Sequence, residues 1–230
     1  MTKYKYNLDI FYNKDDITYY LLGAIATDGC VFIKDGTYQI SLTSKDKDWL
    51  IIINNLICPE KPLRKSKRDN CYTITIYSKK LALWLVANGI IPRKSLSLEL
   101  PNIPEKYLPD FIRGCMDGDG SIYQRKLKTG KLIPISYLCS SSLSFVNSVC
   151  EVFSSKGINY CFLKRKREEP RELKGVMIIN KNDRYRIQMS KHASLKLFDW
   201  IYYPGFRIAM PRKLGIVNKI IEYPKYFIKN

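Results

Sequence analysis

Histidine is almost missing from this chain, with His192 the only one in 230 residues. That argues against a zinc hydrolase, a nuclease built on a histidine–metal pair, and any triad whose base is histidine. Cysteine occurs at 30, 58, 71, 115, 139, 150 and 161, an odd count of seven with no Cys-x-x-Cys spacing. A disulfide framework and a zinc ribbon are therefore not expected, and the pattern reads as free thiols in a reducing, intracellular compartment. No apolar run reaches membrane-spanning length, and Met1-Thr2-Lys3-Tyr4-Lys5-Tyr6-Asn7 has no apolar signal core, so a soluble protein with no membrane partner is expected. Acidic residues are scarce, 21 Asp plus Glu against 39 Lys plus Arg, which leaves a net charge of +18. A surplus of that size favours a polyanionic partner, because neutralising phosphates releases their condensed counterions.

What the chain does have is 46% hydrophobic residues, enough for one large core or for two fused units of about a hundred residues each, and disorder is not expected. An internal repeat decides for two units. Leu21-Leu22-Gly23-Ala24-Ile25-Ala26-Thr27-Asp28-Gly29 and Ile112-Arg113-Gly114-Cys115-Met116-Asp117-Gly118-Asp119-Gly120 are both apolar, helix-like segments ending in small-Asp-Gly. Each is followed by the same succession. In the first half, alternation over Tyr38-Gln39-Ile40-Ser41-Leu42-Thr43 predicts a half-buried strand, 46–57 a helix, Cys71-Tyr72-Thr73-Ile74-Thr75-Ile76-Tyr77 another strand, and a further helix ends near Asn88-Gly89. In the second half, alternation leads to Ser140-Ser141-Ser142. A helix over 143–155, a strand over Arg184-Tyr185-Arg186-Ile187-Gln188-Met189 and an apolar segment through Trp200 come next, with a final helix towards Ile221. Pro92-Arg93-Lys94 and Pro211-Arg212-Lys213 close the two halves. The expected division is residues 1–100, a stiff proline-bearing linker over 101–110, and residues 111–230. The second half is longer by two basic, turn-rich stretches, 124–131 and 164–183, which implies an asymmetric binding surface.

Asp28 and Asp119 stand where a carboxylate is locally unfavourable. At a helix C-terminus each faces the negative end of the helix dipole, at a cost of about 0.3–1 kcal/mol, with a glycine behind it that can act as a C-terminal cap. Two matched violations ask for a functional cause, and a divalent cation held by carboxylate and carbonyl oxygens supplies one. Gly23-x-x-x-Thr27 and Gly114-x-x-x-Gly118 put small residues on one face of each helix, so the two helices can meet backbone to backbone and bring their aspartates together.

The two segments resemble the LAGLIDADG motif of homing endonucleases, and the doubled motif is similar to that of the single-chain, monomeric members. The resemblance runs over about 19–221. It implies an α+β fold of two pseudo-symmetric αββαββα halves, with motif helices at the interface and antiparallel sheets forming a DNA-binding saddle. It also implies a site-specific, Mg-dependent endonuclease that cuts both strands of a long asymmetric DNA target across the minor groove, leaving short 3′ overhangs. Asp28 and Asp119 would hold two or three Mg2+ ions, with the carbonyls of Thr27 and Gly118 as further ligands. Mn2+ would substitute, and Ca2+ would bind without supporting cleavage. Lys94 and Lys213 would stand near the scissile phosphates. Where the family often carries a second acid two positions before the catalytic one, Asp117 keeps it and Ala26 does not.

Base reading is expected from the outward strand faces, which carry Gln39, Ser41, Thr43, Thr73, Thr75, Tyr77, Arg184, Arg186 and Gln188, together with Gln124, Lys126, Ser140 and Ser142. Arg64, Lys65, Lys67 and Arg68, and Lys164, Arg165, Lys166 and Arg167, are placed to grip phosphate. Two other readings stay open. The same family contains maturases that bind intron RNA and binding proteins that have lost cleavage, and a duplicated RNA-binding protein would show a salt slope without sequence discrimination. Abundant Lys, Ile, Asn and Tyr fit an AT-rich genome, that of an organelle or a phage, with a prokaryotic cytoplasm the other setting.

Overall fold

The computed structural model describes residues 4–67, 69–165, 171–173, 176–178 and 182–222. Its first helix, α1 (Asp16–Thr27), starts where the Asp15 carboxylate accepts the Thr18 N–H at 2.9 Å, with the Thr18 hydroxyl reaching back in a capping box. Every residue from Thr18 to Ala26 is buried, so α1 is a core helix, as its all-round apolar surface requires. The chain reverses at once into β1 (Gly29–Lys34) and β2 (Thr37–Ser44), joined by Asp35-Gly36. Both turn residues have positive φ, 48° and 76°, as a tight two-residue hairpin with the right strand twist demands. Next come α2 (Lys47–Ile57), the short β3 (Arg64–Lys65), β4 (Tyr72–Tyr77) and α3 (Lys79–Ala87), whose N-terminus is capped by the Ser78 hydroxyl at 3.1 Å from Leu81 N. The sheet is antiparallel, in the order β1-β2-β4-β3.

The second half repeats this plan with α4 (Leu108–Gly118), β5 (Gly120–Lys126), β6 (Leu132–Ser140), α5 (Leu143–Ser155) and β7 (Cys161–Arg165), then, beyond a small hairpin, β10 (Arg184–Ser190) and α6 (His192–Ile201). Its sheet order is β5-β6-β10-β7, the same arrangement strand for strand. Register agrees too: Gly29 pairs with Leu42 in one sheet and Gly120 with Leu138 in the other. Two additions break the symmetry. The hairpin of β8 (Arg171–Leu173) and β9 (Val176–Ile178) lies within the basic stretch expected only to be turn-rich, and α7 (Pro211–Glu222) carries the closing Lys213.

Alternation along the strands sorts the sheet faces. In the first sheet Ile40, Leu42, Ile74 and Ile76 are buried beneath α2 and α3, and Trp49, Leu50, Ile53, Leu81 and Leu85 complete the core. The opposite face is polar, with Ser41 paired to Thr75 and the Thr43 and Thr73 hydroxyls 2.9 Å apart. The second sheet likewise buries Ile133, Ile135, Leu138, Ile187 and Met189. One boundary differs from the sequence reading: α4 begins at Leu108, inside the stretch expected to be linker. Pro109 is tolerated there because the N–H it lacks has no helical partner in a first turn.

Between the halves, α1 and α4 touch backbone to backbone. A Cβ on Gly23 would land on the carbonyl of Phe111, and one on Gly114 would lie 2.8 Å from the N of Ala24 and collide with the carbonyl of Tyr20. Gly118 meets the Thr27 side chain in the same way. All four residues expected at the helix interface are at the contact.

Candidate active site

The close approach of α1 and α4 sets down their C-terminal ends side by side. Asp28 and Asp119 are the C-cap residues, each donating its backbone N–H to the turn above, to Ala24 O and Cys115 O at 3.0 Å. The following glycines do not have the left-handed conformation expected of a C-terminal cap, since neither Gly29 nor Gly120 has positive φ. They are glycine for another reason. A Cβ at Gly29 would strike Ile25, 2.6 Å from its Cα, and one at Gly120 would strike Met116, 2.7 Å from its Cα. The strand folds back so tightly against its own helix that only glycine fits.

Among the described residues neither carboxylate accepts a hydrogen bond. Burial raises the Asp28 carboxyl from the ordinary value to about 6, and the charge of Asp119 adds to the rise, against the pull of Lys213 and Lys94. Asp119 is raised as well: its residue is exposed, but its surroundings still desolvate the carboxylate against the pull of Lys94, Lys213 and Arg184. Two acids from two halves of the chain are thus held close, with no hydrogen bond to either carboxylate among the described residues.

The lysines are not surface charge. Lys94 is buried and donates to the carbonyl of Gly29. Lys213 is buried and donates to the carbonyls of Met116, Asp117 and Gly120 at 2.6, 2.6 and 2.7 Å, so its ammonium closes the C-terminus of α4. Burial lowers Lys94 below its ordinary value and brings Lys213 down to about 8. Lys94 acts more strongly on Asp119, and Lys213 on Asp28. Each acid is thus drawn most strongly by a lysine of the other half, although each lysine is anchored on backbone of its neighbouring helix end. A cleft of about 360 Å3 opens at the first pairing, lined by Thr27, Lys94 and Ser95 of one half and by Asp119, Ser140, Ser141 and Arg184 of the other.

Asp117 has a different task. It is fully buried, and its Oδ2 accepts the Tyr20 hydroxyl at 2.6 Å and the Met210 N–H at 2.8 Å. Ala26 holds the related place in α1. Arg113, also fully buried, pairs with Asp110 at 2.7 Å and donates to the carbonyls of Ile201 and Ile208, tying α4 to α6 and the chain beyond it. Neither residue reaches the cleft.

The polar sheet faces hold most of the residues expected to read bases. Thr43, Tyr77 and Arg184 are exposed, and Gln39, Ser41, Thr73, Thr75, Gln124, Ser140, Arg186 and Gln188 are half-buried beside them. Arg186 lies over the Tyr137 ring, 4.2 Å from its centre. Arg64, Lys65, Lys67, Lys126, Lys164 and Arg165 are exposed, with Lys164 paired to Asp183 at 2.9 Å. Ser142 is a correction. It is buried as the N-cap of α5, accepting from Phe145 N at 3.3 Å and donating to Leu98 O at 2.6 Å, so it is spent on the fold. Arg68, Lys166 and Arg167 lie outside the described residues. Sequence reasoning missed Asp46 and Arg212, which form a two-point ion pair at 2.6 and 3.0 Å beside Asp28 and Lys213, and it missed the bearing of Arg184 on Asp119. The Pro-Arg-Lys triplet was the available signal for Arg212. Asp46 carried none.

The family model of a LAGLIDADG-like domain matches residues 107–189. No curated protein matches the chain. Among solved structures, mesophilic variants of the homing endonuclease I-DmoI share 18% identity at a TM-score of 0.55, over 88% of this chain and 99% of that one. The LAGLIDADG homing endonuclease I-GzeII in complex with its DNA target shares 13% at 0.52, over 92% and 93%. The I-LtrWI LAGLIDADG homing endonuclease bound to target DNA shares 12% at 0.51, over 93% and 92%.

Proposed function

We propose that this chain, which carries a LAGLIDADG-like domain and has the two-sheet fold of those homing endonucleases, is a site-specific, metal-dependent endonuclease that cuts both strands of DNA. The observation that carries the reading is the juxtaposition of Asp28 and Asp119, one from each half, each in the field of two buried lysines, Lys94 and Lys213.

The residues fit a hard divalent cation. Both acids lack hydrogen-bond donors and are held above their ordinary values, which is the state a cation relieves. Among the described residues no group of three or more His, Cys, Asp and Glu could hold a metal. The remaining ligands would be the backbone carbonyls of Thr27 and Gly118, water, and the oxygens of the scissile phosphates. That all-oxygen set selects Mg2+ or Mn2+ over zinc, and Ca2+ is expected to bind without supporting cleavage. When bound, such ions activate water for in-line attack on phosphorus and neutralise the departing 3′ oxygen.

The protein's own groups do the rest. Asp28 and Asp119 hold negative oxygen where α1 and α4 end. Lys94 and Lys213, already desolvated and fixed by backbone carbonyls, offer positive charge to the phosphoryl group at little cost in reorganisation. The sheet faces supply Ser, Thr, Gln and Arg to base edges in the major groove, and Lys and Arg around them hold the backbone. Because the two halves differ in sequence, the target they read is asymmetric and one chain suffices to bind it. All seven cysteines are free, which suits the reducing compartment we assign to the protein. Among the described residues no helix is long and apolar enough to cross a membrane.

The test is to incubate the protein in Mg2+ with genomic DNA from candidate hosts lacking the enclosing intron, and to sequence all new ends. One recurring pair of ends with short 3′ overhangs is expected. A folded protein that binds DNA with no recurring ends contradicts the reading and turns attention to intron RNA.

A further inference from the structure

The halves repeat strand for strand, so each cleft residue has a counterpart, and the counterparts do not match in charge. Ser140 pairs with Tyr185 in one sheet and Ser44 with Tyr72 in the other, which makes Arg184, the residue before Tyr185, the counterpart of Cys71. The N-cap of α5 is Ser142 and that of α2 is Asp46. The cleft of Asp119 therefore holds two cations, Lys94 and Arg184, against one acid. The surroundings of Asp28 hold Lys213 and Arg212 against two acids, Asp28 and Asp46, and the guanidinium of Arg212 is already bound at two points by the Asp46 carboxylate. The charge of Arg184 bears on Asp119 alone of the two acids, and that of Asp46 on Asp28 alone.

On the endonuclease reading, we infer that the surroundings of the two acids are unequal by construction: the phosphate of one strand is seated first in the cleft between Lys94 and Arg184, and that strand is cut first. Arg184 is a positioning residue for this phosphate. Its side chain stands at the rim of the cleft, at the start of β10 and in register with Arg165 of β7, where a phosphate entering towards Asp119 meets it before the buried Lys94. Beside Asp28 an entering phosphate must compete with Asp46 for Arg212, and a second carboxylate repels it. Arg212 is thereby held in reserve until the first cut loosens the duplex.

Two measurements decide this. Crystals of the protein soaked in tungstate, a phosphate mimic visible by its anomalous signal, are expected to show one anion, between Lys94 and Arg184. Equal occupancy beside both acids, occupancy beside Arg212 alone, or no anion beside either overturns the inference, whether or not the protein cuts DNA. On the duplex recovered from the genomic experiment, with each strand labelled separately, a nicked intermediate open in one particular strand is expected. Arg184→Gln should slow that strand about tenfold and leave the other within about twofold, with Arg184→Lys restoring most of the loss. Asp46→Ser, which frees Arg212 and copies the other half, should speed the lagging strand. Equal rates for the two strands, or an equal slowing of both by Arg184→Gln, would sink the inference while leaving the endonuclease reading intact. A protein that cuts neither strand sinks the endonuclease reading, and the tungstate soak still judges the surroundings of the two acids.

Discussion

Tyr20 of α1 donates its hydroxyl proton to Asp117 of α4 at 2.6 Å, joining the two halves through a fully buried hydrogen bond. Trp49 donates its indole N–H to the same Tyr20 oxygen at 2.6 Å, and Asp117 also accepts from Met210 N, so a polar chain runs from α2 through both interface helices to the residue before α7. The related pair in the other half is Phe111 and Ala26, both apolar and buried. The acid that the motif carries in only one copy is thus a structural bridge.

Asp117→Ala should therefore cost about 3 kcal/mol, since it leaves the Tyr20 hydroxyl and the Met210 N–H without their acceptor. Tyr20→Phe should cost about 1–3 kcal/mol by the same loss. Cleavage per folded molecule should stay within a few-fold in both. Denaturant titration and single-turnover assays check the two halves of this statement, and a stable but inactive Asp117→Ala would show that the residue serves chemistry instead.

Gly114→Ala should destabilise the protein by about 3 kcal/mol or more, because its methyl would enter the space of the Tyr20 carbonyl and force α1 and α4 apart. The control is Gly215→Ala in α7, where a Cβ meets nothing within 4 Å and helix propensity should raise stability by about 0.5–1 kcal/mol. Thermal melts of the two variants should move in opposite directions; a shift of the same sign in both would contradict the close helix contact.

The Asp28 carboxyl, at about 6 in the folded protein, lies above its ordinary 3.8, so the native state holds this proton more tightly than the unfolded chain does. Stability of the ion-free protein should then fall as pH rises from about 4 to about 6 and stay at the lower level above that. Asp28→Asn removes the ionised group, and should raise stability at pH 8 by about 1–3 kcal/mol while leaving it unchanged at pH 4. Divalent cation binding, followed by calorimetry, should weaken as pH drops below about 6 because protons compete for the same oxygen. Binding that does not change between pH 5 and pH 8 would place the ion elsewhere.

Lys213→Met should act on stability and on rate together. It strands the carbonyls of Met116, Asp117 and Gly120, a loss of about 2–4 kcal/mol, and on the proposed function it removes a cation that serves the scissile phosphate, a loss of at least about a hundredfold in single-turnover rate. Since burial holds this lysine at about 8, wild-type cleavage should also decline as pH rises past that value and the ammonium loses its proton. A rate that keeps rising to pH 10 would exclude a role for its charge.

Much of this was legible in the chain because the repeat is written in residue types with few alternatives. Strict alternation over Gln39–Thr43 and Arg184–Met189 fixes which side chains face out, and small residues at Gly23, Thr27, Gly114 and Gly118 foretell helices in backbone contact. What could not be read depends on distances between segments remote in sequence. Ser142 sits in a polar triplet and reads as surface, yet Leu98 lies over it. Gly29 and Gly120 read as helix caps, and only the tight return of each strand shows that steric clearance is their reason. Asp46 looks like any acid before a helix until α7 brings Arg212 to it.

The central claim is that Asp28 and Asp119 carry the chemistry and are dispensable for the fold. It is tested most directly by assaying Asp28→Asn and Asp119→Asn side by side for binding and for cleavage of the target duplex in Mg2+. Both variants should be at least as stable as the parent, bind the duplex within about tenfold of it, and make no double-strand break. Double-strand cleavage surviving in either variant would contradict the account.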